Sequence, residues 1–305
     1  MIASHRLIRR RGFSLIELVV VIGILGLLLS ISMPAIQSAR EAALRAHCAN
    51  QLRQLGLGIQ GHVSRLGRLP SNGGDKNDSL IANATGMMVP IGTHDLNIGT
   101  HFRWGVGRPG ARPQEQSGCW AYAILPDVEQ SEAYQSLAVE SAGPTFLCPS
   151  RSRGGDVLVP DDDANGRYEA ADRRWAKTDY AGNSLVIANR PAAMSTTEVS
   201  DGLSNTIGLG EKAFDPLVQT PSSWYWDEPI FSGGSRGTSR SGLLLHVDGV
   251  GIEYKHHWGS AHPAGVQFSI LDGSVRTVSR QMDWKVFRSS LSPRGGEVEA
   301  LSSHP

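Results

Sequence analysis

Four groups of residues in this chain have the types and spacing to do chemistry. His262 and Asp272, with nine residues between them and Gly273 following, could form a general base oriented by a carboxylate. A nucleophile for that pair is hard to place, because neither Ser260 nor Ser269 sits in a Gly-x-Ser-x-Gly elbow. The same stretch reads more simply as strand–turn–strand. Val266, Phe268 and Ile270 then share one side, Asp272-Gly273 makes the tight turn, and Val275 returns. His246, His256 and His257 add a loose histidine-rich patch, but adjacent histidines on a strand point to opposite faces and rarely share a metal.

Asp161-x-Asp163-x-Asn165-Gly166 matches the first half of a calcium-binding loop. Its twelfth position is Asp172 instead of the usual bidentate Glu, so affinity should fall or tilt toward Mg²⁺. The residues before it, Val157-Leu-Val-Pro160, look extended, and an acidic, solvated surface loop is the competing reading. Apart from this possible Ca²⁺, no cofactor is expected. The third group is the cysteines, Cys48, Cys119 and Cys148. Outside the cytoplasm a disulfide is permitted, and three pairings are open, each leaving one thiol over. No pair has the close CxxC spacing of zinc sites, so zinc is not expected.

The fourth group lies at the N-terminus. A basic stretch (Arg6, Arg9, Arg10, Arg11) ends at Gly12, and Phe13 opens an apolar run to Met33 whose single charge is Glu17. At about 1.5 Å per residue that run can cross a hydrocarbon core of about 30 Å. The arginines place its N-terminal side in the cytoplasm and the remaining residues outside. A carboxylate here costs free energy, less so one turn in from the charged end than at the centre. Cleavage after Gly12 would create an amine at Phe13 that a neighbouring copy's Glu17 could pair with, so the buried charge gains its partner only on assembly.

These groups need elements to hold them. From Ala35 to about Gly61 the helical pattern turns amphipathic: Ile36, Ala39, Ala43, Ala46, Leu52, Leu55 and Ile59 recur at mostly three- and four-residue steps. Gly56, Gly58 and Gly61 are expected to end the helix. Trp120–Leu137 reads as helix or strand plus helix, and Phe146-Leu-Cys-Pro-Ser150 as a short strand stopped by Pro149. Leu185–Ala188, Thr206–Gly210, Gly242–Val247 and Val266–Leu271 read as strands, with turn chemistry at Asp201-Gly-Leu-Ser-Asn205. The balanced charge, 29 basic against 29 acidic residues, leaves no nucleic-acid footprint. With 35 Gly and 16 Pro, the region beyond the apolar run should be turn-rich and built of short strands.

Gly12-Phe-Ser-Leu-Ile-Glu17 resembles the class III signal of type IV pilins and type II secretion pseudopilins. The resemblance implies that a prepilin peptidase cleaves after Gly12 and methylates Phe13. It also implies that Glu17 is the family's charged fifth mature residue and Pro34 its helix-kinking proline. A removable secretory signal has an apolar region of about 7–15 residues ahead of its cleavage site. Here the cleavage signal precedes a longer run, so the run is kept. His262-x9-Asp272-Gly273 in turn resembles the bacterial prepilin-like family recognised by a C-terminal signature of that form, whose function is largely unassigned. Cys48-Ala-Asn-Gln-Leu-Arg-Gln-Leu-Gly-Leu57, Leu125-Pro-Asp-Val-Glu-Gln130, Phe146–Ser150, Asp179-Tyr-Ala-Gly-Asn183, Asp201–Thr206 and Gly295-Gly-Glu-Val298 agree with it. The chain departs at Asn50-Gln51, where members often carry two Asn, and at Asp127, where many have an aromatic. Because Cys48 and Cys148 both lie in matching stretches, the resemblance favours that pairing.

The expected fold is α+β: a long N-terminal helix, pilin-like, packed on a loop-rich, mostly antiparallel β domain. Residues 1–12 form the leader, 13–33 the transmembrane helix, 34–61 its amphipathic continuation and 62–305 the extracytoplasmic globular domain. The expected function is a single-pass subunit of the cytoplasmic membrane, not an enzyme, assembling into a type II secretion pseudopilus or a type IV pilus-like fibre. Its expected partners are prepilin peptidase, other pilin or pseudopilin subunits and the inner membrane. A surface ligand- or glycan-binding module using Trp224-Tyr-Trp226 and Trp258 is the alternative, and an envelope enzyme using His262 and Asp272 ranks below it.

Overall fold

An apolar run free of early helix breakers winds into α1, Leu15–Leu66, in a computed structural model of the chain. The described residues are 14–74, 78–96, 99–141, 143–151, 154–158, 166–217, 229–234, 237–252 and 254–296. The chain divides into two compact units, Met1–Leu44 and Arg45–Pro305.

In the first unit the α1 side chains face outward along their length: Leu15 is 80% exposed, Leu29 65% and Met33 60%. The Glu17 carboxylate accepts from the Ser14 backbone N–H at 3.2 Å, a first-turn bond that the helix dipole favours. Pro34 sits inside the helix without ending it, although it has no N–H to give the preceding turn. Just before it, the Ser30 and Ser32 hydroxyls donate to the Leu27 and Leu28 carbonyls, each at 2.8 Å.

In the second unit the same helix buries a stripe, Cys48, Leu52, Leu55, Ile59 and His62, at alternating four- and three-residue steps. Gly56, Gly58 and Gly61 do not end the helix as the sequence suggested; they lie inside it and admit close neighbours. A Cβ on Gly58 would stand 2.7 Å from Val128 Cγ1, and one on Gly61 3.1 Å from the Asp127 Cβ. The helix stops at Gly67, whose φ of 73° belongs to the left-handed region and whose N–H reaches the Val63 carbonyl at 2.7 Å.

The central sheet has five strands in the order β3-β1-β2-β6-β7. They are β1 Tyr180–Asn183, β2 Ile207–Glu211, β3 Ser239–Arg240, β6 Val266–Ile270 and β7 Val275–Val278. β4 (Leu245–Val247) and β5 (Trp258–Ser260) pair in parallel beside it. Within the sheet β3 runs parallel to β1 and the other pairs are antiparallel. The β2–β6 register slips by one residue between Ile207 and Leu209, a bulge. Val266, Phe268 and Ile270 pack on one side with Phe287 and Leu291 of the C-terminal helix Trp284–Leu291. Gln267 donates to the Arg45 carbonyl of α1 at 3.0 Å from the other side. The larger apolar core joins Leu52, Leu55 and Ile59 to Trp120, Tyr122, Ile124, Trp175 and Leu209. Three-stranded and two-stranded antiparallel pieces, among them Gly92–Asp95 between Thr100–Arg103 and Gly166–Glu169, complete the α+β fold.

Two strand expectations are corrected. Leu185–Ala188 is turn, because Asn183 caps it: its side-chain oxygen accepts from Leu185 N at 3.1 Å and its carbonyl from Ile187 N at 2.7 Å. The strand lies just before it, at Tyr180–Asn183. Phe146–Ser150 is not a strand either; a 3₁₀ turn at Pro144–Phe146 leads into a tight turn closed by Arg151 N on the Cys148 carbonyl at 3.0 Å.

Candidate functional site

The Cys-Pro-Ser turn, the stripe of α1 and the sheet bring four titratable side chains to one buried point. Cys48 comes from the start of the buried stripe of α1, Cys148 from the turn, Glu211 from the last position of β2, and His262 from the loop between β5 and β6. One donor atom of each lies within 4.8 Å of all the others. Their exposures are 0, 1, 0 and 0%, so water has no ordinary access. The two sulfurs are 2.6 Å apart, and His262 Nε2 stands 3.7 Å from Cys148 Sγ. Cys119 is elsewhere in the core, donating to the Ile230 carbonyl at 3.0 Å.

Each donor is fixed by its surroundings. Cys148 is held through its backbone: its N–H donates to Asp179 Oδ2 at 2.6 Å. Arg151, three residues on and itself buried, meets Asp248 with Nε at 2.8 Å and Nη2 at 3.1 Å, and Asp179 with Nη1 at 3.2 Å. That bidentate pairing offsets the cost of burying the guanidinium. Cys48 is located by the helix, with Gln51 one turn on accepting from the Tyr180 hydroxyl at 2.9 Å and donating to the Pro144 carbonyl at 2.8 Å. His262 N–H donates to Ser260 Oγ at 3.1 Å. Glu211 Oε2 accepts from Gln267 N at 2.8 Å, while its Oε1 is buried with no hydrogen-bond partner.

The electrostatics follow from this crowding. The bond to Cys148 and burial keep Cys48 protonated well above the ordinary thiol range. The Cys48 thiol, His262 and Arg151 push Cys148 below the ordinary thiol range despite its burial. Burial and the nearby Cys148 raise Glu211 to about 8, against the opposing pull of Arg151, Gln267 and Ser260. Two sulfurs, an imidazole and a carboxylate form a donor set that suits a borderline-soft divalent cation.

The sequence reading brought out part of this. Cys48 and Cys148, paired by resemblance, are together, and His262 is beside them. Asp272 is not: it is exposed at the β6–β7 turn, its carboxylate accepting from Ser274 N at 2.8 Å, with Gly273 at φ 86°. Asp272 and Gly273 shape the hairpin while His262 faces the thiols. His246 and His257 meet each other edge to face, with ring centres 5.7 Å apart. Trp258 cannot stack on a sugar from within the core; it is 0% exposed, packs on Phe268 and donates to the Gly242 carbonyl at 3.0 Å. Trp224 and Trp226 lie outside the described residues, as do Gly12, Phe13, Asp161, Asp163 and Asn165. Asp172 occupies a turn with φ 52°, and Asp127 pairs with Arg65 Nη2 at 2.8 Å where an aromatic would pack. Glu211 was missed. Its one signal is a carboxylate directly after the apolar run Thr206–Gly210, a position where a strand end is normally solvated.

A long apolar helix leading into an α+β unit fits a prepilin-like protein, and among the described residues one helix is long and apolar enough to cross a membrane. The Prokaryotic N-terminal methylation motif matches residues 7–33. The chain belongs to the family described as Protein of unknown function (DUF1559), whose model matches residues 37–285. No curated protein and no solved structure matches it.

Proposed function

We propose that the chain is a structural subunit that a prepilin peptidase cleaves after Gly12 and methylates at Phe13, and that then assembles through α1 into a pseudopilus or pilus-like fibre. The observation that carries this reading is the methylation motif over residues 7–33, placed directly on a helix whose apolar side chains find no cover within their own unit. Before assembly a bilayer covers them, with the arginines on the cytoplasmic side and the second unit outside. In the fibre, neighbouring helices take the place of lipid. Glu17 sets the register by pairing with the Phe13 amine of an adjacent subunit, and Pro34 adapts the helix to its neighbours. The chain itself makes or breaks no bond in this role.

Intact mass and N-terminal sequencing of the protein from its native membrane test the reading. The expected species begins at N-methylated Phe13. A mature chain that begins at Met1 would refute processing and, with it, the assembly mechanism.

A further inference from the structure

We propose that Cys48, Cys148, His262 and Glu211 hold one zinc ion in a closed structural site inside the second unit. The proposal goes beyond the assembly reading and does not depend on it, since all four ligands lie beyond residue 44.

Three observations carry it. The first is the donor set: two sulfurs, an imidazole nitrogen and a carboxylate oxygen, all within 4.8 Å of one another, make a four-coordinate site from residues far apart in sequence. The second is burial: the four residues are at most 1% exposed, so bulk water does not compete for their donor atoms. Tetrahedral Zn–S bonds of about 2.3 Å hold two sulfurs about 3.8 Å apart, wider than the 2.6 Å here, so the ion would separate them by rotation of the two side chains. The third decides between a cation and a disulfide. A disulfide would use the sulfurs alone and leave Glu211, 0% exposed, with an oxygen that no described residue satisfies. A divalent cation engages that oxygen.

The surroundings fit a structural site better than a catalytic one. All four ligands come from the protein, so no position is left open for water or substrate. The outer contacts are also in place: Asp179 holds the Cys148 backbone, Gln267 N–H holds the Glu211 carboxylate, and Ser260 holds the His262 backbone. The ion would join α1, the Cys-Pro-Ser turn, β2 and the β5–β6 loop at one point, in a unit whose strands are short.

The test uses the full chain, extracted in detergent at neutral pH without chelator. Elemental analysis should find about one zinc per chain. Cys48 and Cys148 should resist alkylation until the chain is denatured with chelator. Exchange of zinc for cobalt should give a strong thiolate-to-metal absorption. The metal should stay bound in Cys119→Ser and fall to a small fraction of that content in Glu211→Gln and in the Cys48→Ser/Cys148→Ser double variant. A wild-type chain that is metal-free and two hydrogens lighter, with Cys48 bonded to Cys148, would overturn the proposal. So would a bound metal without the thiolate absorption, or one that survives in the double variant. The three readouts on wild type need no variant to fold. Failure of processing at Phe13 would leave all of them unchanged, so the two hypotheses fail separately.

Discussion

One helix meets two different fates along its length. From Leu15 to Ile36 nearly every side chain is apolar and exposed; from Arg45 to Leu66 apolar residues narrow to a stripe, and that stripe is buried. The glycines make the contrast sharp. Around Gly23 and Gly26 an added Cβ would meet nothing within 4 Å, whereas at Gly58 it would meet Val128 at 2.7 Å and Ile124 at 3.3 Å. The same residue type thus leaves room for partners in one unit and is consumed by close packing in the other. The lesson is that an apolar pattern names the solvent it needs: continuous for lipid or other helices, periodic for a protein core.

That contrast can be broken from either end. The largest effect should come from Glu17→Gln, which should abolish fibre assembly, read as the loss of sedimentable filaments. It should leave the thermal midpoint of the second unit unchanged. Gly58→Val should destabilise the second unit by about 2–4 kcal/mol, since Val128 and Ile124 are backed by core, while Gly23→Ala should leave its denaturation curve where it is.

His62 supplies a pH test of the buried half. Burial, aided by Arg65, lowers its pKa from 6.5 to about 4, although the Arg68 carbonyl and Asp127 oppose the shift. Its folded-state pKa lies below the unfolded one, so its contribution is intact above pH 6.5. As pH falls toward 4 the unfolded chain takes up the proton first, and stability should decline by up to about 3 kcal/mol. Denaturant melts of the wild type and His62→Gln at several pH values should show this slope in the first and a flatter one in the second. The smallest effect belongs to Arg65 and Asp127, 40% and 13% exposed, where a double-mutant cycle should yield about 0.5–1 kcal/mol that shrinks with salt.

The helix was legible because both of its patterns are local. Leu52, Leu55 and Ile59 announced the buried face, and Cys48 and His62 extend it at the same spacing. The β6–β7 hairpin was legible too, since Asp272-Gly273 between apolar runs is turn chemistry. The metal-suited cluster was not, for a physical reason: its four donors come from segments up to 214 residues apart, with no CxxC pair to betray them. Strand pairing alone brings Glu211 beside His262, and pairing partners are not written in any window of sequence. The glycine cluster misled for the converse reason. Gly56, Gly58 and Gly61 resemble a helix stop locally, and only the neighbours that press against them show why the helix continues.

The slip between Ile207 and Leu209 acts as a change of parity. Ile207 lies opposite Ile270 on the side of the C-terminal helix, yet Leu209, two residues on, belongs to the core that α1 joins. Unbroken alternation would have carried Ile207's side through to Glu211 and aimed a carboxylate among Phe268 and Phe287. Bulging one surplus residue out of the ladder, instead of pairing it, therefore decides which face of the sheet receives that charge. Deleting Gly208 should straighten β2 yet leave Leu209 and Glu211 on the α1 side, because Ser269 and Phe268 stay opposite Leu209 and Gly210.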